Sequence, residues 1–185
     1  MKLKALTTGS VAIAAALGVA ACGSSSAGGI VTAPSGGRTA PVATTLTPTR
    51  YPTPTSGPLS KEPVFSVPGG KAPAKLVVKT VIPGTGPTVT AGDDVFVSYV
   101  GKLYSNGKVF DASWKDEPGQ TFEVTNVGAA EVITGWNKGL IGLKQGGRYE
   151  LIIPPAEAYG TTARTGIPAN STLVFMIDVV KVYGK

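Results

Sequence analysis

Histidine is absent from the 185 residues. That excludes imidazole general acid–base catalysis and histidine-ligated metal sites. Cysteine occurs once, at Cys22, so an internal disulfide and any multi-cysteine metal site are excluded too. An excess of positive charge is missing where a fold would have to carry it. The formal net charge is +6, yet residues 1–21 hold +2 of it and residues 22–73 hold +3, while residues 74–185 carry eleven basic and ten acidic side chains. A stretch so close to neutral lacks the electrostatic footprint of a nucleic-acid binder, and no nucleic acid is expected as a partner.

What is present begins with an address. Lys2 and Lys4 form a positive n-region, and Val11-Ala-Ile-Ala-Ala-Ala-Leu-Gly-Val19 is an apolar run of secretory length, too short to span a bilayer well. Val19-Ala-Ala-Cys22 and Gly23-Ser-Ser-Ser then follow. Small residues ahead of the chain's only cysteine resemble a bacterial lipobox. Residues 1–21 are expected to be a lipoprotein signal peptide, with Cys22 lipidated and the protein anchored outside the cytoplasm on the cell membrane. An ordinary signal peptide with an incidental cysteine is the plainer alternative.

Residues 22–73 read as a disordered tether. Nine of the fifteen prolines lie between Pro34 and Pro73, and Tyr51 and Phe65 are the only aromatics there, so little apolar surface offsets the entropy of ordering. Local polyproline II is expected, and about fifty flexible residues span roughly 40 Å. A proline-rich ligand for another module is the alternative to a spacer. Val64-Phe-Ser-Val67 could dock on the domain that follows or stay with the tether.

Residues 74–185 have the length and pattern for one core. Strand-like runs cover Lys75–Ile82, Asp94–Gly101, Val109–Ala112, Thr121–Val124, Arg148–Ile153 and Ser171–Val182. In the second, Val95, Val97 and Tyr99 share a face by the period of two. Ser105-Asn-Gly-Lys108 is a hairpin turn of the Asn-Gly kind. Trp114–Gly119 reads as a polar loop, and Thr161–Asn170 as a long turn-rich one. Five or six antiparallel-type strands with one central helix make an α+β fold.

That helix, Glu131–Leu143, is the piece around which the others are organised. Trp136, Leu140 and Leu143 fall at i, i+4 and i+7 on one face, which Ile141 widens. Asn137 and Lys138 fall mostly off it. Gly139 and Gly142 weaken the helix by up to about 1 kcal/mol each, so it needs a sheet to lie on, and Gly146-Gly147 would stop it. Trp136 is then either the floor of an apolar pocket or simply core.

Four segments together resemble the FK506-binding-protein (FKBP) family of peptidyl-prolyl cis–trans isomerases. They are Val97-Ser-Tyr-Val-Gly101, Gly107-Lys-Val-Phe-Asp-Ala-Ser113, Glu131-Val-Ile-Thr-Gly-Trp-Asn-Lys-Gly-Leu140, and Ala158-Tyr-Gly160 with Ile167-Pro-Ala-Asn-Ser-Thr-Leu-Val-Phe175. Their order and spacing follow the family across about residues 75–183. The resemblance implies a half-barrel of antiparallel strands around a short helix. It implies an apolar substrate pocket built from Phe110, Phe122, Val132, Ile133, Trp136 and Phe175, with Ile167 leaning over the mouth. The polar groups it implies are Asp111, Tyr159, Tyr99 and the Ile133 backbone N–H. Proline-containing polypeptides are the implied substrates, and macrolides such as tacrolimus or rapamycin are candidate ligands. No cofactor or metal is implied, and a monomer is expected.

The chemistry suits this residue set. An Xaa-Pro bond turns slowly because twisting it breaks amide resonance. No covalent bond is made, so no nucleophile is required. An apolar pocket disfavours the charge-separated planar amide and favours the twisted one. The resemblance gives Trp136, Phe110 and Phe175 the proline ring, Tyr159 a hydrogen bond to a substrate carbonyl, and Asp111 a place beside it, accepting from Tyr99. Without it, Asp111 is equally a turn-capping carboxylate, Tyr159 a packing ring, and Tyr99 a buried, satisfied hydroxyl. Members often carry an arginine shortly after Phe-Asp to pair with the aspartate; here Trp114-Lys-Asp-Glu-Pro-Gly119 has none, and Lys115 is the substitute at hand. The expected function is isomerisation of Xaa-Pro bonds in secreted or envelope proteins. A non-catalytic module that binds proline segments as a chaperone or scaffold is the alternative.

Overall fold

A computed structural model of the protein describes residues 51–116 and 118–185. The expected signal peptide, Cys22 and the first part of the expected tether, 23–50, lie outside the described residues.

Six strands form one antiparallel sheet. They are β1 (Val77–Ile82), β2 (Asp94–Leu103), β3 (Val109–Ala112), β4 (Phe122–Val124), β5 (Arg148–Ile153) and β6 (Leu173–Tyr183). The order across the sheet is β1-β5-β6-β2-β3, and β4 pairs with β2 as well. The backbone of the sheet is the long β2–β6 ladder, from Asp94 opposite Tyr183 to Leu103 opposite Leu173, with one register shift after Phe96. The expected α+β half-barrel is therefore the observed architecture. A one-turn helix α1 (Ser113–Asp116) stands where a loop was expected.

The central helix α2 is shorter than its periodicity implies. It spans Thr134–Gly139, not Glu131–Leu143. Its glycines let it lie directly on β5. A Cβ at Gly135 would overlap Ile153, and one at Gly139 would come within 2.6 Å of Leu151 Cδ2. After Gly139 the chain leaves the helix to bond elsewhere. Val89 N–H donates to Leu143 O (2.8 Å), and Gly142, at φ +89°, donates to Val89 O (2.9 Å). Trp136, Leu140 and Leu143 are all buried, as their spacing predicts, but Ile141 is 44% exposed because the helix has ended before it.

The β2–β3 hairpin also differs in detail. Only Gly107 has positive φ (+71°), so a two-residue turn with both central residues left-handed is not formed. Leu103 N–H donates to Lys108 O (2.9 Å), Gly107 N–H donates to Leu103 O (2.8 Å), and Asn106 Oδ1 accepts from Lys108 N–H (2.9 Å). The loop is longer, and Asn106 serves it through its side chain.

The largest departure concerns residues 51–73. They were expected to be tether, and they are instead packed along the outer face of the sheet. Thr53 N–H donates to Gly119 O and Thr121 N–H to Tyr51 O, both at 3.0 Å. The Tyr51 ring lies 5.8 Å from that of Phe96. Arg148 Nη2 donates to Lys61 O (3.0 Å). Lys102 Nζ donates to Phe65 O and sits 4.2 Å over the Phe65 ring, and Tyr104 Oη donates to Gly69 O (3.2 Å). Leu59 and Pro63 are buried. The physical reason is visible in β2, whose outward Phe96, Ser98 and Val100 are as buried as its inward residues. A sheet apolar on both faces needs a cover on both faces, and this strap is the outer one.

Candidate functional site

The inner face of the sheet and α2 enclose an aromatic cluster. Trp136 is 1% exposed, with Tyr99, Phe175 and Phe122 edge-on or tilted around it at centroid distances of 5.1, 5.2 and 5.9 Å. Phe110 meets Phe175 at 5.5 Å and 89°. Such edge-to-face contacts fix ring orientations as well as burying area. Trp136 is thus core in its own right. The half-buried Phe110, Phe122, Val132, Ile133 and Tyr159 lie over it and carry the surface that a ligand would meet. Gly101, opposite Asp111 in the β2–β3 ladder, makes room for two of these rings: a Cβ there would fall 2.7 Å from Phe110 Cζ and 2.9 Å from Phe175 Cε1.

The polar groups converge on the same cluster. Tyr99 points inward by strand alternation, and its hydroxyl donates to Asp111 Oδ2 at 2.9 Å. Its backbone N–H donates to Ser113 Oγ at 2.9 Å, which holds the start of α1 against β2 and so fixes the end of β3 that carries Asp111. Asp111 is only 8% exposed. Tyr159 follows the one-turn helix Pro155–Glu157 and is packed against the cluster. Burial pushes the Tyr159 hydroxyl above the ordinary tyrosine range, the Asp111 charge adds to this, and the Arg164 charge acts the other way. Tyr159 therefore keeps its proton and remains a hydrogen-bond donor at neutral pH.

The loops that frame the cluster are tied down by residues the sequence left unassigned. Asn137 was expected off the working face of the helix. Its Oδ1 accepts from Gly128 N–H (2.9 Å) and Ala130 N–H (3.0 Å), and its Nδ2 donates to Ala130 O (2.9 Å). It thereby pins the segment leading to Val132 and Ile133. The Ile133 backbone N–H, at the cap of α2, donates to no protein group among the described residues. Ile167 is 6% exposed and packed into the cluster, so it anchors the long loop more than it overhangs the mouth. Arg164 of that loop sits over Tyr159, with its guanidinium carbon 5.6 Å from the ring centroid. Lys115, the substitute partner considered for Asp111, has an exposed side chain on α1.

Comparison with known proteins agrees with this geometry. The family model for FKBP-type peptidyl-prolyl cis-trans isomerase matches residues 86–180. An FK506-binding protein of Streptomyces anulatus is 44% identical over 124 residues, which cover 66% of this chain and 98% of that protein. FK506-binding protein 4 of Chaetomium thermophilum is 56% identical over 99 residues, 54% of this chain but only 20% of the larger protein. The crystal structure of AtFKBP13 superposes with a TM-score of 0.52 at 32% identity, covering 60% of this chain and 96% of that one. The match takes in β2 to β5, most of β6, α2 and every residue of the aromatic cluster, leaving out β1 and the strap, and the chain belongs to the FKBP-type peptidyl-prolyl cis–trans isomerase family.

Proposed function

We propose that this isomerase acts on Xaa-Pro bonds of polypeptides folding at the outer face of the membrane, to which a lipidated Cys22 tethers it. The observation that carries the site assignment is the Tyr99–Asp111 hydrogen bond at the base of an aromatic cluster, with the Tyr159 donor beside it. The half-buried Phe110, Phe122 and Ile133 receive the prolyl ring, which is flat, apolar and without an N–H. Tyr159 donates to a substrate carbonyl, and the Ile133 N–H is a second donor. The cluster removes water from the amide. The planar form, which water stabilises through charge separation, loses more by this than the twisted form does. Tacrolimus-type macrolides compete for the same surface, by analogy with the FK506-binding relatives.

The test is cis–trans exchange of an Xaa-Pro peptide followed by NMR. Tyr159→Phe and Asp111→Leu are each expected to lower the catalysed rate about tenfold, equivalent to ~1.4 kcal/mol of transition-state preference, with the fold retained. Full activity in both variants would remove these roles. Binding without catalysis in the unaltered protein would instead support a module that holds proline segments.

Anchoring has its own test. Cys22→Ser is expected to move the protein from the membrane fraction to the soluble one, and unchanged association would overturn the anchor.

A further inference from the structure

The long loop between Tyr159 and β6 places one full charge beside the proposed carbonyl donor. Arg164 and Ile167 exchange backbone hydrogen bonds of 2.8 and 2.9 Å around Thr165-Gly166, and Gly166 takes φ +79°. The base of the loop is closed by Asn170 N–H donating to Gly160 O (2.8 Å), and Thr162 N–H donates to Tyr159 O (3.1 Å). Ile167 is buried below, and a Cβ at Gly166 would lie 3.7 Å from Phe110 Cβ. The loop is therefore seated against the pocket wall, and its hydrogen bonds hold the backbone that carries Arg164. Its guanidinium lies over the Tyr159 ring, while the residue as a whole is exposed.

Arg164 makes no ion pair among the described residues. Nearby acidic groups are otherwise engaged. Glu157 is 3.4 Å from Lys138, and Asp111 is buried and accepts from Tyr99. The positive charge thus stands at the solvent end of the site and the negative charge at its buried end. A guanidinium already held over an aromatic ring still has N–H donors to offer a carboxylate, at little further entropic cost.

We propose that Arg164 is a specificity-determining residue that favours proline segments bearing an acidic side chain next to the Xaa-Pro bond and disfavours those bearing a basic one. The preference rests on Tyr159 being the group that holds the substrate, since that is what brings the peptide under Arg164. An exposed pair gives a modest effect in each direction, so a ratio of roughly fivefold between acidic and basic substrates is expected at low salt, shrinking as salt is raised.

The experiment measures kcat/KM by NMR exchange for three peptides that differ only at Xaa: Glu-Pro, Ala-Pro and Lys-Pro, together with a second set varied at the residue after proline. The ratio of Glu to Lys is taken within each variant, so a general loss of activity cancels. The unaltered protein should favour Glu by about fivefold in at least one set. Arg164→Lys should keep most of that ratio, Arg164→Gln should bring it close to one, and Arg164→Glu should invert it. A ratio near one in the unaltered protein, or a ratio that survives Arg164→Gln, overturns the assignment. No catalysis of the Ala-Pro peptide would instead show that the isomerase reading itself fails.

Discussion

A chain that begins at residue 74 is expected to unfold at a much lower denaturant concentration than one that begins at residue 51. The family match starts only at Gly86, so the shorter chain holds everything the family requires. It lacks the strap. Along the outer face, Phe96, Val100 and Val174 are no more than 1% exposed, and Ile152 and Met176 are close behind. These side chains depend on residues 51–73 for their cover, together with the Tyr51–Phe96 ring contact and the Lys61 and Phe65 carbonyls that accept from Arg148 and Lys102. Fully burying one large apolar side chain stabilises by about 1.5–3 kcal/mol. Partial re-exposure of several makes a loss of about 5 kcal/mol, against a typical total of 5–15 kcal/mol. Tryptophan fluorescence, from Trp114 and Trp136, reads the midpoint through a urea titration, and size-exclusion chromatography reads self-association through the uncovered patch. Equal midpoints for two monomeric chains would mean that the strap is ornamental.

The strap marks the boundary of what the sequence alone makes legible. A proline-rich, aromatic-poor segment looks disordered because it cannot form a core of its own, which is true of residues 51–73 and beside the point. Their partner was the information, and it stood elsewhere in the chain. Val95-Phe-Val-Ser-Tyr-Val100 and Leu173-Val-Phe-Met-Ile177 do not alternate between apolar and polar, so both of their faces had to be covered. Strand existence was legible because each run is bounded by glycine, proline or a polar turn. Helix α2 was legible in its buried face and not in its length, since Gly139 and Gly142 could either weaken a helix or end it, and hydrogen bonds to Val89 decided for ending. The placement of Tyr99 and Asp111 was legible from strand alternation combined with the family spacing. Asn137 and Arg164 were not, because what they touch is separated from them by loops whose course no periodicity encodes. Cross-strand pairing was equally hidden: Arg148 faces Asp178 only once the β5–β6 register is known.

That last pair carries the second large effect. Arg148 Nε and Nη2 donate to the two Asp178 carboxylate oxygens at 2.6 and 2.7 Å, with the Asp178 side chain 1% and the Arg148 side chain 12% exposed. Burial pushes the Asp178 carboxyl above the ordinary aspartate value of 3.8, and the hydrogen bond and charge of Arg148 only partly offset it. A carboxyl raised in the folded state contributes stability that is full below the unfolded value and lost as pH rises through the folded one. At neutral pH the ionised Asp178 is accordingly a cost that Arg148 limits. Arg148→Met should therefore destabilise by about 3–5 kcal/mol near neutral pH, because it leaves a buried carboxylate unpaired. Acidification should return part of that loss, since Asp178 can then take up a proton and be buried neutral. Adding Asp178→Leu to Arg148→Met should bring stability back to within about 1 kcal/mol of the unaltered protein, or above it. Urea unfolding at several pH values measures all three. A single variant as stable as the parent at neutral pH, or a double variant no better than the single, would contradict this electrostatic account. Because Arg148 Nη2 also donates to Lys61 O, Arg148→Met and removal of the strap should cost less together than the sum of the two alone.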